Sequence, residues 1–159
     1  MERVDIREDG AGPSIAEADV YRRLSKPLGT EELALNYAEI EPDGQLGFDY
    51  HRHRDQEEVF VVTGGTVTFE TEDGDVRVGE GEAIRFGPDE FQLATNRDDE
   101  RATLLALGAP RGSREIQYRR ACPTCEEETL QDLEFDRERA VFEGVCTECG
   151  EVAVEVEPS

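Results

Sequence analysis

His51-Arg52-His53-Arg54-Asp55-Gln56-Glu57-Glu58-Val59-Phe60-Val61-Val62 is the stretch whose reading decides the fold. The chain has 159 residues and 2 histidines, and both histidines sit here, one residue apart. On an extended strand, side chains two apart share a face, roughly 6.6–6.8 Å along the strand. Two imidazoles so placed can converge on one ion, each reaching it at about 2.0–2.1 Å. Glu58 follows at the head of an apolar run that reads as a strand. Two neutral nitrogens and one anionic oxygen make the stretch a candidate metal site. Glu57 has the opposite parity to Glu58 and is expected to face solvent, whereas Phe60 and Val62 share its parity and are expected in the core.

Outward from this stretch the chain is a series of short strand signals separated by turns. Before it come Leu33–Ile40, the turn Pro42-Asp43-Gly44 and Leu46–His53. After it come Gly64-Gly65, Thr66–Thr71, the hairpin signal Asp73-Gly74-Asp75, Val76–Val78, Ala83–Phe86, Phe91–Thr95 and Thr103–Leu107. Strands at this spacing, with glycine turns and no helical period, predict an all-β antiparallel sandwich or barrel. Residues 1–30 read as an arm that adds a short edge strand at Val4–Ile6 and wraps the barrel of 31–110. Residues 111–119 read as a linker, and 120–159 as a second, smaller unit with strand-like stretches around Ala140–Val145 and Val152–Val156.

Two stretches resemble the motifs of the cupin superfamily. The first is His51-x-His53, four residues, Glu58, six residues and Gly65. The second runs from Gly81 through Gly87-Pro88-Asp89 and Gln92 to Asn96. The resemblance implies a cupin-like double-stranded β-barrel (jelly roll) holding one metal in its mouth. This chain departs from the pattern at two places: the second motif's glycine falls on Asp89, and its histidine falls on Gln92. With no third histidine, the three-His-plus-Glu set is excluded. His51, His53 and Glu58 remain, and Gln92 can either ligate through its neutral carbonyl oxygen or hydrogen-bond another ligand of the ion. Two His and a carboxylate suit Fe(II), and the same set accepts Mn(II), Ni(II), Co(II) or Zn(II).

The 4 cysteines form two Cys-x-x-Cys pairs, Cys122/Cys125 and Cys146/Cys149, twenty residues apart. That spacing resembles a zinc ribbon, in which four thiolates close a structural Zn(II) site and metal binding energy substitutes for a core. Gly150 relaxes the turn after the second pair, while Glu126 stands at the matching place in the first.

The charge is extreme: 39 acidic against 17 basic residues, a net −22, with Lys26 the one lysine. This acidic, halophilic composition resembles that of haloarchaeal proteins, whose salt screens the self-repulsion. It repels nucleic acid and anionic membranes, and residues 115–159 alone carry 13 acidic and 4 basic side chains. No apolar run nears membrane-spanning length and the N-terminus lacks a signal pattern, so a cytoplasmic protein with no membrane contact is expected.

Two functions fit. The first is a small-molecule metalloenzyme, dioxygenase- or isomerase-type, using the 2-His/1-Glu site. The second is a non-catalytic ligand-binding or sensor protein whose ribbon contacts a protein partner. A homodimer is implied only by the cupin resemblance.

Overall fold

A computed structural model describes residues 1–12 and 14–158. Its elements among these residues are β1 (Val20–Arg23), the single-turn α1 (Ser25–Leu28), β2 (Ala34–Ile40), β3 (Gln45–His53), β4 (Glu57–Gly64), β5 (Thr66–Thr71) and β6 (Val76–Gly79). There follow β7 (Ala83–Phe86), β8 (Gln92–Thr95), β9 (Ala102–Ala109), β10 (Ile116–Cys122), β11 (Glu127–Asp136), β12 (Val141–Cys146) and β13 (Val152–Val156). They make two antiparallel sheets, ordered β1-β2-β9-β4-β7 and β13-β12-β11-β10-β3-β8-β5-β6. This is an antiparallel barrel, as the strand spacing predicts, and it has the jelly-roll form that the cupin resemblance implies.

Alternation explains the barrel. Along β9 buried and half-buried residues alternate without a break, with Ala102, Leu104 and Ala106 turned inward. Phe60 and Val62 of β4 meet them in the core with Ile40, Val67 and Phe69. The rings of Phe60 and Phe69 lie 5.1 Å apart, and Phe86 closes the aromatic cluster 5.6 Å from Phe69. Burying each such side chain contributes roughly 1.5–3 kcal/mol. Glu57 is exposed and pairs with Arg85, as its parity requires.

The expected edge strand at Val4–Ile6 is not formed; the edge strand is β1. Asp5 instead organises a local turn, its carboxylate accepting from the Arg7 N–H at 3.0 Å and its carbonyl from the Asp9 N–H at 2.9 Å. Val20-Tyr21-Arg22-Arg23 takes that place, pairing with β2 in register Tyr21↔Ala38, while the turn closed by Asp5 bends Val4–Ile6 out of an extended course in spite of its two β-branched residues.

The expected linker over 111–119 is also shorter than its sequence suggests. From Ile116 onward the chain is β10, which joins β3 in register Ile116↔His53 and Tyr118↔His51. The cysteine unit is therefore an extension of the barrel's second sheet. Arg52 donates two hydrogen bonds to Gln117 Oε1, at 3.0 and 2.7 Å. The Arg119 guanidinium lies 4.2 Å from the centre of the Phe91 ring, and Arg120 pairs with Asp49 at 3.1 Å. These contacts made β10 hard to read, because its outward positions are arginine and glutamine. The unit also holds β11, a ten-residue strand that its charged residues conceal.

Candidate metal centres

β3 delivers both histidines to the inner face of the barrel, and β4 delivers Glu58 from the facing sheet. The ligand atoms of His51, His53 and Glu58 all lie within 4.8 Å of one another. His53 Nε2 is 3.5 Å from Glu58 Oε2. Gly47 makes this possible: its φ is +107°, and a Cβ there would come within 3.1 Å of His51 Cε1. A side chain at 47 would displace the imidazole.

Hydrogen bonds fix which nitrogen of each ring faces the centre. His51 Nδ1 donates to the Asp49 carbonyl at 2.7 Å. Ser113 Oγ donates to Asp55 Oδ1 at 2.6 Å, so it accepts from His53 Nδ1 at 2.8 Å. Asp55 is held in turn by the Arg114 N–H at 2.9 Å. Both Nε2 atoms are left unprotonated, the tautomer a metal requires, and the lone pair of His51 Nε2 has the Gln92 amide N–H against it at 3.2 Å. Sequence reasoning missed Ser113 and Asp55. Asp55 lies between the ligands in the chain, but nothing in the sequence marks Ser113, which falls in the expected linker.

The electrostatics agree. Burial pushes the His51 imidazole below its usual range, and burial together with the neighbouring His51 brings His53 down to about 3. Both rings are neutral at physiological pH. Burial raises the Glu58 carboxyl to about 7, against which the Gln92 hydrogen bond pulls downward. Three converged donors, His51 buried and His53 and Glu58 half-buried, carry at most one negative charge and form a set that a divalent cation stabilises.

Gln92 sits beside them, directly opposite His51 across the β3–β8 pairing. Its Nε2 lies 3.2 Å from His51 Nε2 and 3.1 Å from Glu58 Oε2. Its Oε1 is buried with no hydrogen-bond partner. Rotating the amide by half a turn points that oxygen at the same centre. An orphaned buried oxygen beside three converged donors fits a cation there. At Asp89 the backbone takes φ +70°, the left-handed conformation for which the motif carries glycine and which Asp tolerates. Its N–H bonds the His53 carbonyl at 2.9 Å, so the second motif's turn is intact despite the substitution.

The four cysteines also converge, their sulfurs within 4.8 Å of one another. Cys122 Sγ and Cys149 Sγ are 3.8 Å apart, as are Cys125 Sγ and Cys146 Sγ. Sulfurs bound tetrahedrally at about 2.3 Å from zinc stand roughly 3.8 Å apart. The two knuckles are copies: the Glu126 N–H bonds the Cys122 carbonyl and the Gly150 N–H that of Cys146, each at 2.9 Å. Glu126 takes φ +57° where Gly150 takes +76°, so the glutamate adopts the glycine's conformation. The Thr129 hydroxyl beside Cys146 lowers that thiol to about 6, whereas the hydrogen bond with Cys149 raises Cys125, so the first thiolate of the group falls on Cys146.

A cavity of about 790 Å³ opens over the His51/His53/Glu58 group, which lies on its wall with Gln92, Phe60 and Tyr118. Its size suits a small-molecule ligand. No helix among the described residues is long and apolar enough to cross a membrane.

A jelly roll with two histidines and a glutamate on its inner wall, beneath a small-molecule cavity, defines a cupin-fold protein. The model of the cupin domain family, Cupin_2, matches residues 36–108 of this chain, the stretch from β2 to β9. It resembles a sugar phosphate isomerase of the cupin superfamily from Silicibacter pomeroyi DSS-3, with 20% identity, 83% of this chain and 78% of that chain covered, and a TM-score of 0.66. It also resembles the polyketide cyclase RemF from Streptomyces resistomycificus, with 23% identity, 73% and 83% covered, and a TM-score of 0.61. A third likeness is the protein TT1209 from Thermus thermophilus, with 17% identity, 70% and 100% covered, and a TM-score of 0.57. At these identities the likenesses establish the fold. No curated protein matches the chain.

Proposed function

We propose that the protein is a divalent-metal enzyme acting on a small molecule, of the isomerase or dioxygenase type. His51, His53 and Glu58 hold the ion, and Gln92 adds a neutral oxygen or a hydrogen-bond donor beside it. The observation that carries this reading is the convergence of three correctly oriented donors on the wall of a cavity of ligand size. A cation there supplies Lewis-acid or redox activation of a substrate oxygen, and Fe(II), Mn(II), Ni(II) and Zn(II) all accept this donor set.

The protein's own groups do the rest. Leu46, Phe60 and Ile116 give the cavity part of its apolar surface. Tyr21 and Tyr118 also line it, and burial raises both phenols above their usual range, so each keeps its proton and can donate a hydrogen bond to substrate. Two of the similar structures named above are an isomerase and a cyclase by name, which supports an enzymatic reading. The four cysteines hold a structural Zn(II) that stabilises the outer strands of the second sheet.

A homodimer belongs to the same proposal. The outer face of the five-stranded sheet aligns the half-buried Leu35, Leu107 and Val59 in one row across β2, β9 and β4, with the half-buried Leu105 and Val61 in the next. A contiguous apolar surface of this kind suits a second copy of the chain.

One observation favours a second reading, a binding or sensor protein whose ribbon meets a protein partner: Phe135 and Val152 of the cysteine unit are 49% and 45% exposed. Oxygen uptake and product analysis on Fe(II)-, Mn(II)- and Zn(II)-loaded protein, against a panel of small diols, thiols and enols, separates the two. The enzyme reading predicts turnover that Glu58→Gln lowers at least a hundredfold. Ligand binding without turnover in every metal form would overturn it.

A further inference from the structure

Roughly one residue in four of this chain is acidic, yet the lining of the cavity inverts that balance. Among the described lining residues Glu58 is the one carboxylate, and three cations stand with it: Arg23, Lys26 and Arg111. Lys26 is also the one lysine in the protein. All three cations are exposed side chains on three different segments, at the end of β1, in α1 and just after β9. None of the ion pairs of the described residues uses Lys26 or Arg111.

The local geometry places the backbone of Arg23 and the guanidinium of Arg111. The Arg23 N–H bonds the Gly10 carbonyl at 2.8 Å, which fastens the arm along the cavity edge. Gly10 has φ +80°, and a Cβ there would meet the Arg23 carbonyl at 2.5 Å, so the approach depends on glycine. Arg111 donates to the Thr30 carbonyl, which ties the segment after β9 to the loop after α1. A protein with a net charge of −22 repels anions over its surface generally. Charges that gather at one mouth, with the acids kept out of it, reverse that field where a ligand enters. In strong salt such attraction is screened within about 3 Å, so these cations act by direct contact.

We propose that the cavity mouth is an anion subsite, in which Arg23, Lys26 and Arg111 receive a carboxylate or phosphate group of the substrate. The other end of the molecule then reaches His51, His53 and Glu58. The substrate class is thus a small organic anion with an oxygen function a few bonds from its charged group. Arginine's planar fork matches both oxyanions, and lysine adds a point charge. This inference rests on the metal-site reading for the second end of the substrate, but the subsite stands or falls by its own measurement.

The test is calorimetric titration of the full-length protein at constant ionic strength, before and after loading with Mn(II). The probes are inorganic phosphate and malonate, with glycerol as the neutral control. Saturable anion binding is expected in both metal states. Lys26→Gln and Arg111→Gln should each weaken it about tenfold, the size of one lost charged hydrogen bond. Lys26→Arg should restore most of it, and Arg137→Gln, an exposed charge far along the cysteine unit, should leave it unchanged. The tighter of the two anions identifies the substrate's headgroup. Anion binding that needs Mn(II) and ignores Lys26 and Arg111 would overturn the subsite while leaving the metal site standing. Binding that depends on the cations in protein unable to take up Mn(II) would keep the subsite and overturn the metal reading. Equal affinity in all variants, or no binding, overturns the subsite outright.

Discussion

Replacing Glu58 by glutamine should stabilise the metal-free protein and abolish its stabilisation by metal. In the metal-free fold, burial raises the Glu58 carboxyl from 4.5 to about 7. Holding that carboxylate ionised at pH 8 therefore costs the fold about 3 kcal/mol relative to the unfolded chain. The sign follows from the direction of the shift. A carboxyl raised on folding contributes its stability below pH 4.5 and loses it as pH climbs through 7. Glutamine keeps the shape and the hydrogen bond to Gln92 but carries no charge. Chelator-treated Glu58→Gln should thus exceed wild type by about 3 kcal/mol at pH 8, and by under about 1 kcal/mol at pH 5. In a chain of this size that is a gain of roughly 6–12 °C in melting temperature at pH 8. The two histidines titrate in both proteins and cancel from the difference. Saturating Mn(II) should reverse the order, since a ligand at about a thousand times its Kd adds roughly 4 kcal/mol to the protein that binds it. Thermal melts at pH 5 and 8, in constant KCl with and without Mn(II), supply the four numbers. A variant less stable than wild type at pH 8 without metal would refute the buried-carboxylate argument.

Four further expectations concern single contacts. Affinity for a divalent ion should fall about tenfold per pH unit below 7, because Glu58 and not His53 takes the competing proton; chelator competition from pH 5 to 8 measures the slope. Ser113→Ala frees His53 Nδ1 and should weaken metal binding about 10–100-fold with the melting temperature of the chelated protein unchanged. Gln92→His supplies the third imidazole and should tighten Mn(II) or Ni(II) binding at least about tenfold, read by the same competition. Arg119→Ala removes the guanidinium from Phe91 and should cost about 1–2 kcal/mol in urea unfolding, with faster hydrogen exchange in β10.

The barrel was legible because its strands alternate. Thr66–Thr71 and Ala83–Phe86 fall where β-branched and aromatic residues sit between glycines, Val152–Val156 is an alternating valine run after Gly150, and the structure keeps those bounds. The metal group was legible because the strand period alone puts His51 and His53 on one face, and the motif spacing brings Glu58 to them. What failed to show in the sequence was held by side chains with no apolar pattern. β10 is fastened by Arg52, Arg119 and Arg120, and arginines on a strand look like a solvated linker until their aromatic partners are seen. The His53–Ser113–Asp55 chain spans sixty residues between His53 and Ser113, so no local signal announces it. The cation lining is similarly invisible, since Arg23, Lys26 and Arg111 come to one cavity only when the chain is folded. Asp89 and Glu126 show the converse. Both stand where glycine is the ordinary choice, and both adopt the glycine's backbone conformation.

The central claim is that His51, His53 and Glu58 hold a divalent ion, independently of the cysteines. Metal content per chain tests it most directly, measured by mass spectrometry after anaerobic loading with Fe(II) or Mn(II) and desalting. The account predicts two metals in the wild-type chain. The double substitution Cys122→Ser and Cys146→Ser should lose zinc alone, and the double substitution His51→Ala and His53→Ala should lose the loaded ion alone. One zinc per chain in every form, with no Fe(II) or Mn(II) retained by the wild type, would contradict it.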